Sequence, residues 1–168
     1  MIKYRCPVLI VSDLKRSEDF YEKVLGQVMI AHFGGDIAFS GDFALQTLDS
    51  WHKVSGRTDS LDQPSGISDR LYFEEDRFDD FAARLRTLPG IKYLHDVMAE
   101  PSGQKVVRFL DPDGHLIEVA EGIKAIIRRR LDNGQSVDRI AGETGYPLEF
   151  ILACQAGTGR YPKNFQED

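Results

Sequence analysis

The stretch Val107-Arg-Phe-Leu-Asp-Pro-Asp-Gly-His-Leu-Ile-Glu118-Val leaves the chain few choices, because it reads as two strands around a tight turn. Pro112 presets φ at the second turn position, Gly114 relieves strain at the end, and Asp111 and Asp113 can accept from nearby backbone N–H groups. Beyond the turn, Leu116 and Glu118 share one strand face while Ile117 and Val119 share the other. A carboxylate beside so much apolar surface must line a cavity, find a partner or stay in water.

The rest of the chain repeats one pattern. A strand is predicted over residues 5–11, then a helix capped by Asp13 that runs to about Leu25 and stops at Gly26. Strands over 27–33, 36–40 and 43–48 follow, separated by Gly34-Gly35 and Gly41-Asp42. The same order recurs as a strand over 70–75, a helix over 79–88 stopped by Gly90, and strands near 92–98, 104–110 and 116–120. Leu14, Tyr21, Val24 and Gly26 are matched 64 positions later by Phe78, Leu85, Leu88 and Gly90. This points to a duplicated βαβββ unit. The expected division is a domain over 1–121, with modules at about 1–55 and 68–121 and a Ser-, Gly-, Asp- and Pro-containing linker over 56–67. Residues 122–168 form a helical extension: one helix from Ile123 to about Leu131, a second capped by Ser136 through Ala141, a third opened by Pro147 through about Ala153, and a loose tail.

Charge narrows the partners. The net charge is −6, and the acidity belongs to residues 1–120, which disfavours binding to a phosphate backbone. A cationic or neutral small ligand suits it better. No run of about 18 apolar residues offers a membrane helix, and the start of the chain lacks a secretory layout. Two cysteines far apart in sequence, Cys6 and Cys154, read as free thiols. A cytoplasmic location is expected.

Two segments carry a family resemblance: Val11-Ser-Asp-Leu-Lys-Arg-Ser17-Glu-Asp-Phe20-Tyr21-Glu-Lys-Val-Leu25-Gly26, and Phe109-Leu-Asp-Pro-Asp-Gly-His-Leu-Ile-Glu118. Over residues 3–121 the chain resembles the vicinal oxygen chelate superfamily, which includes glyoxalase I, extradiol dioxygenases, fosfomycin-resistance enzymes and bleomycin-binding proteins. The resemblance implies an α+β fold, in which paired βαβββ modules form a mixed-sheet cup, and a homodimer. It also implies ligand positions on the first and fourth strands of each module, falling here on Cys6, Gln46, Arg70 and Glu118. Of these only Glu118 is a usual metal-ligand type; Cys6 could serve as a thiolate and Gln46 weakly through its oxygen, but Arg70 has no lone pair to donate. No metal or other cofactor is therefore expected. Arg70 either pairs with Glu118 inside the cup or turns outward.

The expected function is small-molecule binding in the cup without the usual catalytic metal. There Glu118 acts as base, acid or salt-bridge partner, Arg70 as an anion contact, Gln46 as an orienting group and Cys6 as a wall residue or thiol. Two alternatives follow from the resemblance: a metal-dependent lyase, isomerase or dioxygenase like glyoxalase I, and a drug-sequestering resistance protein. None of His32, His52, His95 and His115 has metal-motif spacing with another. His115 is expected to face solvent, and Trp51-His52 to overhang the cup or plug the sheet edge. Residues 136–151 resemble a short helix-turn-helix, but the would-be recognition helix has no Lys or Arg, so nucleic acid is not expected as a partner.

Overall fold

A computed structural model of the chain describes residues 2–56, 70–100 and 103–158. The expected linker and tail lie largely outside the described residues. The chain divides into two compact units, one of Met1–Leu71, Leu88–Lys92 and Phe109–Ile117, the other of Tyr72–Thr87, Tyr93–Arg108 and Glu118–Asp168.

The first sheet consists of β1 (Val8–Val11), β2 (Met29–His32), β3 (Asp36–Phe39) and β4 (Phe43–Thr47), in the order β1-β4-β3-β2. β1 runs parallel to β4, and the other neighbours are antiparallel. This follows from the connections: short turns join β2, β3 and β4, whereas β1 returns through α1 (Leu14–Lys23). Asp13 caps α1 by accepting from the backbone N–H of Arg16 at 3.0 Å, the predicted role. Register places Ile37, Phe39, Phe43 and Leu45 toward the buried side, where Tyr21 lies with its ring 5.0 Å from Phe43 and 5.8 Å from Phe39. Asp36, Ala38, Ala44 and Gln46 occupy the opposite, half-buried face.

The second sheet repeats the order as β5-β8-β7-β6, from β5 (Arg70–Glu75), β6 (Lys92–Ala99), β7 (Lys105–Leu110) and β8 (Leu116–Glu121). The helix α3 (Phe78–Thr87) begins 64 positions after α1, and Phe78, Phe81, Ala82 and Leu85 are its buried residues. Every residue of β8 is buried, Glu118 and Glu121 included. The duplication read from the sequence is thus present in the topology, as two four-stranded mixed sheets with helices.

Two differences from expectation are local. The first strand begins at Val8 rather than residue 5, so Cys6 lies before it. The segment after β4, where no helix was predicted, is the helix α2 (Leu48–Ser55), capped by Thr47, whose hydroxyl accepts from the N–H of Ser50 at 3.1 Å, and ended by Gly56 at φ 69°. Trp51 and His52 therefore sit on a helix. Asp49 in its first turn and His52 and Lys53 in its last suit the helix dipole.

The extension forms α4 (Ile123–Asp132), α5 (Val137–Thr144) and α6 (Leu148–Gln155). Ile126, Ile127, Ile140, Phe150, Ile151 and Cys154 meet in one apolar cluster, with Val137 and Tyr146 packed against it. Ser136 and Pro147 open α5 and α6 as read from the sequence. No helix among the described residues is long and apolar enough to cross a membrane.

Candidate functional site

The centre of the second sheet carries a charged cluster built around one guanidinium. Arg108 on β7 reaches across to β8, where its Nε donates to Glu118. Its Nη2 donates to Glu100 at 2.6 Å, and its Nη1 to Nε2 of His95 at 3.1 Å. A guanidinium only donates, so Nε2 of His95 is the acceptor and its proton sits on Nδ1, which donates to the Asp96 carbonyl at 2.7 Å. The bond to Glu100 and then, against burial, that to Glu118 raise the Arg108 pKa above its ordinary value. The Glu118 side chain is only 4% exposed and that of Arg108 20%. The ion pair is sealed on the carboxylate side and reachable on the guanidinium side.

An equivalent pair lies in the first sheet. Asp36 and Gln46 face each other across β3 and β4, and Arg108 and Glu118 are the residues 72 positions later. Gln46 Nε2 donates to Oδ2 of Asp36 at 3.3 Å and to the Ser50 hydroxyl at 3.4 Å. Oδ1 of Asp36 is buried and has no hydrogen-bond partner, as is Nε1 of Trp51. Gly35 is needed beside them, since a Cβ there would stand 2.7 Å from that of Ser50.

The four positions read from the sequence therefore fare differently. Glu118 is buried and paired, Gln46 is half-buried and bonded to Asp36, Cys6 is half-buried ahead of β1, and Arg70 is exposed at the start of β5. The guanidinium of Arg108 holds Glu118. Arg108 was missed because no family position pointed to it. The alternation along β7 could have found it, as Arg108 is the one charged residue between Val106 and Leu110 on that strand face. His95, which has no metal-motif spacing with another histidine, joins the same cluster.

The partners of Glu118 and Gln46 bear on whether a divalent metal fits here. A cation at Glu118 would have to displace a permanent cation already bonded there, and Gln46 is engaged by Asp36 and Ser50. Among the described residues no three His, Cys, Asp or Glu side chains form a group that could hold an ion.

The Asp-Pro-Asp-Gly turn does different work. Asp111 is 1% exposed and accepts four bonds: from the Tyr21 hydroxyl at 2.9 Å, the N–H groups of Asp113 and His115 at 2.9 and 2.8 Å, and Nδ1 of His115 at 2.8 Å. Asp113 accepts from the backbone and hydroxyl of Ser12, from buried Ser17 and from Arg16. Burial works against its charge, but the Ser12 and Ser17 bonds and the Arg16 cation prevail and lower its pKa. His115 is half-buried rather than solvent-facing, because Asp111 draws its ring inward. Burial lowers the His115 pKa, yet the bond and charge of Asp111 outweigh it and the net shift is upward. The turn is a clasp on the start of α1.

Comparison with known proteins agrees with this architecture. A family model described as a glyoxalase-like domain matches residues 4–124. No curated protein matches. Among solved structures, a protein of unknown function from Agrobacterium tumefaciens is 32% identical over 73% of this chain and 95% of its own, with a TM-score of 0.65. A glyoxalase/bleomycin resistance protein/dioxygenase from Nocardioides is 23% identical over 72% of this chain and 84% of its own, with a TM-score of 0.58. The fosfomycin resistance protein FosX from Mesorhizobium loti is 23% identical over 73% and 94%, with a TM-score of 0.52. The last two are alike in fold.

Proposed function

The chain belongs to the glyoxalase-like domain family of the vicinal oxygen chelate superfamily, and from that membership we propose that it binds a small organic ligand at Arg108 and Glu118, with the guanidinium supplying the positive charge that a metal supplies in other members. The observation that carries this reading is the three-way tether of Arg108 by Glu118, Glu100 and His95. A guanidinium has five N–H groups. Three are spent on these partners, and the two left over lie on a side chain that is partly exposed. They suit a carbonyl or carboxylate oxygen of a ligand.

Each neighbour has a part in this. Glu118 fixes the plane of the guanidinium, Glu100 keeps it from rotating, and His95 can accept only while its Nε2 is unprotonated. Preorganisation of this kind lowers the entropic cost of binding. Fold alone does not specify a reaction, so binding is the function proposed. A homodimer in a reducing, cytoplasmic setting completes the proposal; the two free cysteines are in keeping with that setting.

The test combines metal analysis with a thermal-shift screen of small carboxylates, carbonyl compounds and amines. Protein purified without chelators is expected to carry no stoichiometric divalent ion. A ligand at a hundred times its Kd stabilises by about 2.7 kcal/mol, and Arg108→Lys, which keeps the charge but loses the fork, should abolish that shift. A stoichiometric metal lost on Glu118→Gln, or a ligand shift indifferent to Arg108→Lys, would overturn the reading.

A further inference from the structure

The first unit contains a groove of about 440 Å³ bounded by α1, the segment Leu88–Lys92 and the Asp111-Pro112 turn. We propose that this groove binds a free amphipathic anion: a carboxylate or sulfonate head on a hydrocarbon or aromatic body. None of its lining residues belongs to the Arg108 cluster, so the inference does not rest on the proposed function. Its volume falls in the range of small-molecule sites, roughly 300–1,000 Å³.

The floor is apolar and rigid. Phe20 stands edge-on to Tyr21 at 5.4 Å and tilted to Phe109 at 6.2 Å, so its ring is fixed from two sides. Val24, Leu88, Ile91 and Pro112 continue the surface. Gly90, at φ 79°, turns the chain between Leu88 and Ile91, a conformation that favours glycine.

The rim has the opposite sign to the chain. Arg16, Lys23 and Lys92 line it, against Asp19 and Asp111. Asp19 offsets Lys23 within the rim and Asp111 is buried, which leaves Lys92 as the uncompensated charge of the rim among the described residues. Asp19 sits between Lys15 at 3.0 Å and Lys23 at 2.9 Å, and Asp111 is buried under its four donors. Arg16 is anchored to Asp113 and the Ser12 hydroxyl, at 3.0 and 2.9 Å. Lys92 is exposed and has no ion-pair partner among the described residues. In a protein of net charge −6, a cationic rim over an apolar floor selects against cations and favours an anion whose body can leave water. The head meets Lys92 with Lys23 and Arg16 beside it, and the body lies on Phe20, Leu88 and Ile91.

The probe is anilinonaphthalene sulfonate, whose fluorescence rises on apolar burial, titrated into the full chain. It should bind one-to-one and be displaced by dodecanoate but not by dodecyltrimethylammonium. Lys92→Glu, a change at an exposed residue, should weaken it by about tenfold or more through like-charge opposition. Lys53→Glu, an equal change of charge at an exposed residue of α2 outside the groove, should leave it unchanged. Equal competition by the cation, an unaltered affinity in Lys92→Glu, or an equal loss in Lys53→Glu would each overturn the proposal. So would co-sedimentation with phosphatidylglycerol vesicles without displacement of the probe by free dodecanoate, since the anionic partner would then be a membrane surface.

Discussion

Tyr21→Phe isolates one atom of the clasp and gives a sharp energetic test. The phenyl ring keeps the contacts of Tyr21 with Phe39 and Phe43, so packing is retained and only the hydroxyl bond to Asp111 is lost. Tyr21 is fully buried and Asp111 is 1% exposed, so water cannot replace the missing donor. A hydrogen bond to a charged group contributes about 1.5–3 kcal/mol. Oδ2 of Asp111 still accepts from His115, which places the expected loss near the lower end, about 2 kcal/mol. For a chain of this size each kcal/mol moves Tm by about 2–4 °C, hence a fall of about 4–8 °C. Urea unfolding followed through Trp51, the single tryptophan, should show a lower midpoint with an unchanged slope. Asp111→Asn should cost more, because one oxygen is replaced by an NH2 facing existing donors whichever way the amide turns. A loss in Tyr21→Phe below about 0.5 kcal/mol, the scatter of ordinary surface changes, or an Asp111→Asn milder than Tyr21→Phe would refute the clasp.

Other consequences can be measured in the same way. The His115 pKa is raised in the folded protein, so its charged pairing with Asp111 stabilises fully below the unfolded histidine value of 6.5 and fades as pH rises through the higher folded value; the stability gap between wild type and His115→Asn, followed by urea unfolding, should narrow over that window. Asp113 has the opposite sign: its lowered pKa gives stability present above the ordinary carboxylate value and lost as pH falls through the folded one, and Ser17→Ala should remove about 1–2 kcal/mol of it at neutral pH. Arg108→Met strands the Glu118 charge, a loss expected toward the lower end of about 3–5 kcal/mol because the guanidinium is partly exposed, whereas Arg108→Met with Glu118→Leu should recover most of it in equilibrium unfolding. Gly35→Ala drives a methyl against Ser50 and should cost about 1–3 kcal/mol, visible as a lower Tm.

The fold was legible because its signals are local and repeated. Asp13, Gly26, Gly90 and Ser136 act where a single sequence can be read, through caps and left-handed turns. The helix α2 escaped because its eight residues follow a strand without a break, and the Thr47 cap is also the last strand residue. The site was only half legible. Glu118 stood out as a carboxylate on an apolar strand, but its partner depends on register between β7 and β8, which a turn of fixed length sets and composition does not. Arg70 was read from the family's ligand position, whereas the guanidinium bonded to Glu118 stands ten residues before it on the neighbouring strand.

The 72-residue repeat of the hairpins separates the work of the turn from that of the strand pair. In the first module, Phe39 and Phe43 stack at 4.8 Å; the residues 72 positions later are Asp111 and His115, which bond at 2.8 Å. Tyr21 meets both sets, with its ring on the phenylalanines and its hydroxyl on the aspartate. An amphipathic side chain is thus what α1 needs at that point, apolar along its body and polar at its tip. The turn motif therefore acts on stability, while the proposed ligand role rests on Arg108 and Glu118. Asp113→Asn should lower Tm and leave the affinity of any ligand found in the thermal-shift screen within about twofold, measured calorimetrically well below the new Tm, since additivity holds for sites without shared partners. Arg108→Lys should do the reverse, changing affinity more than Tm. If Asp113→Asn abolished binding at a temperature where the protein remained folded, the turn would be part of the ligand site and this separation would fail.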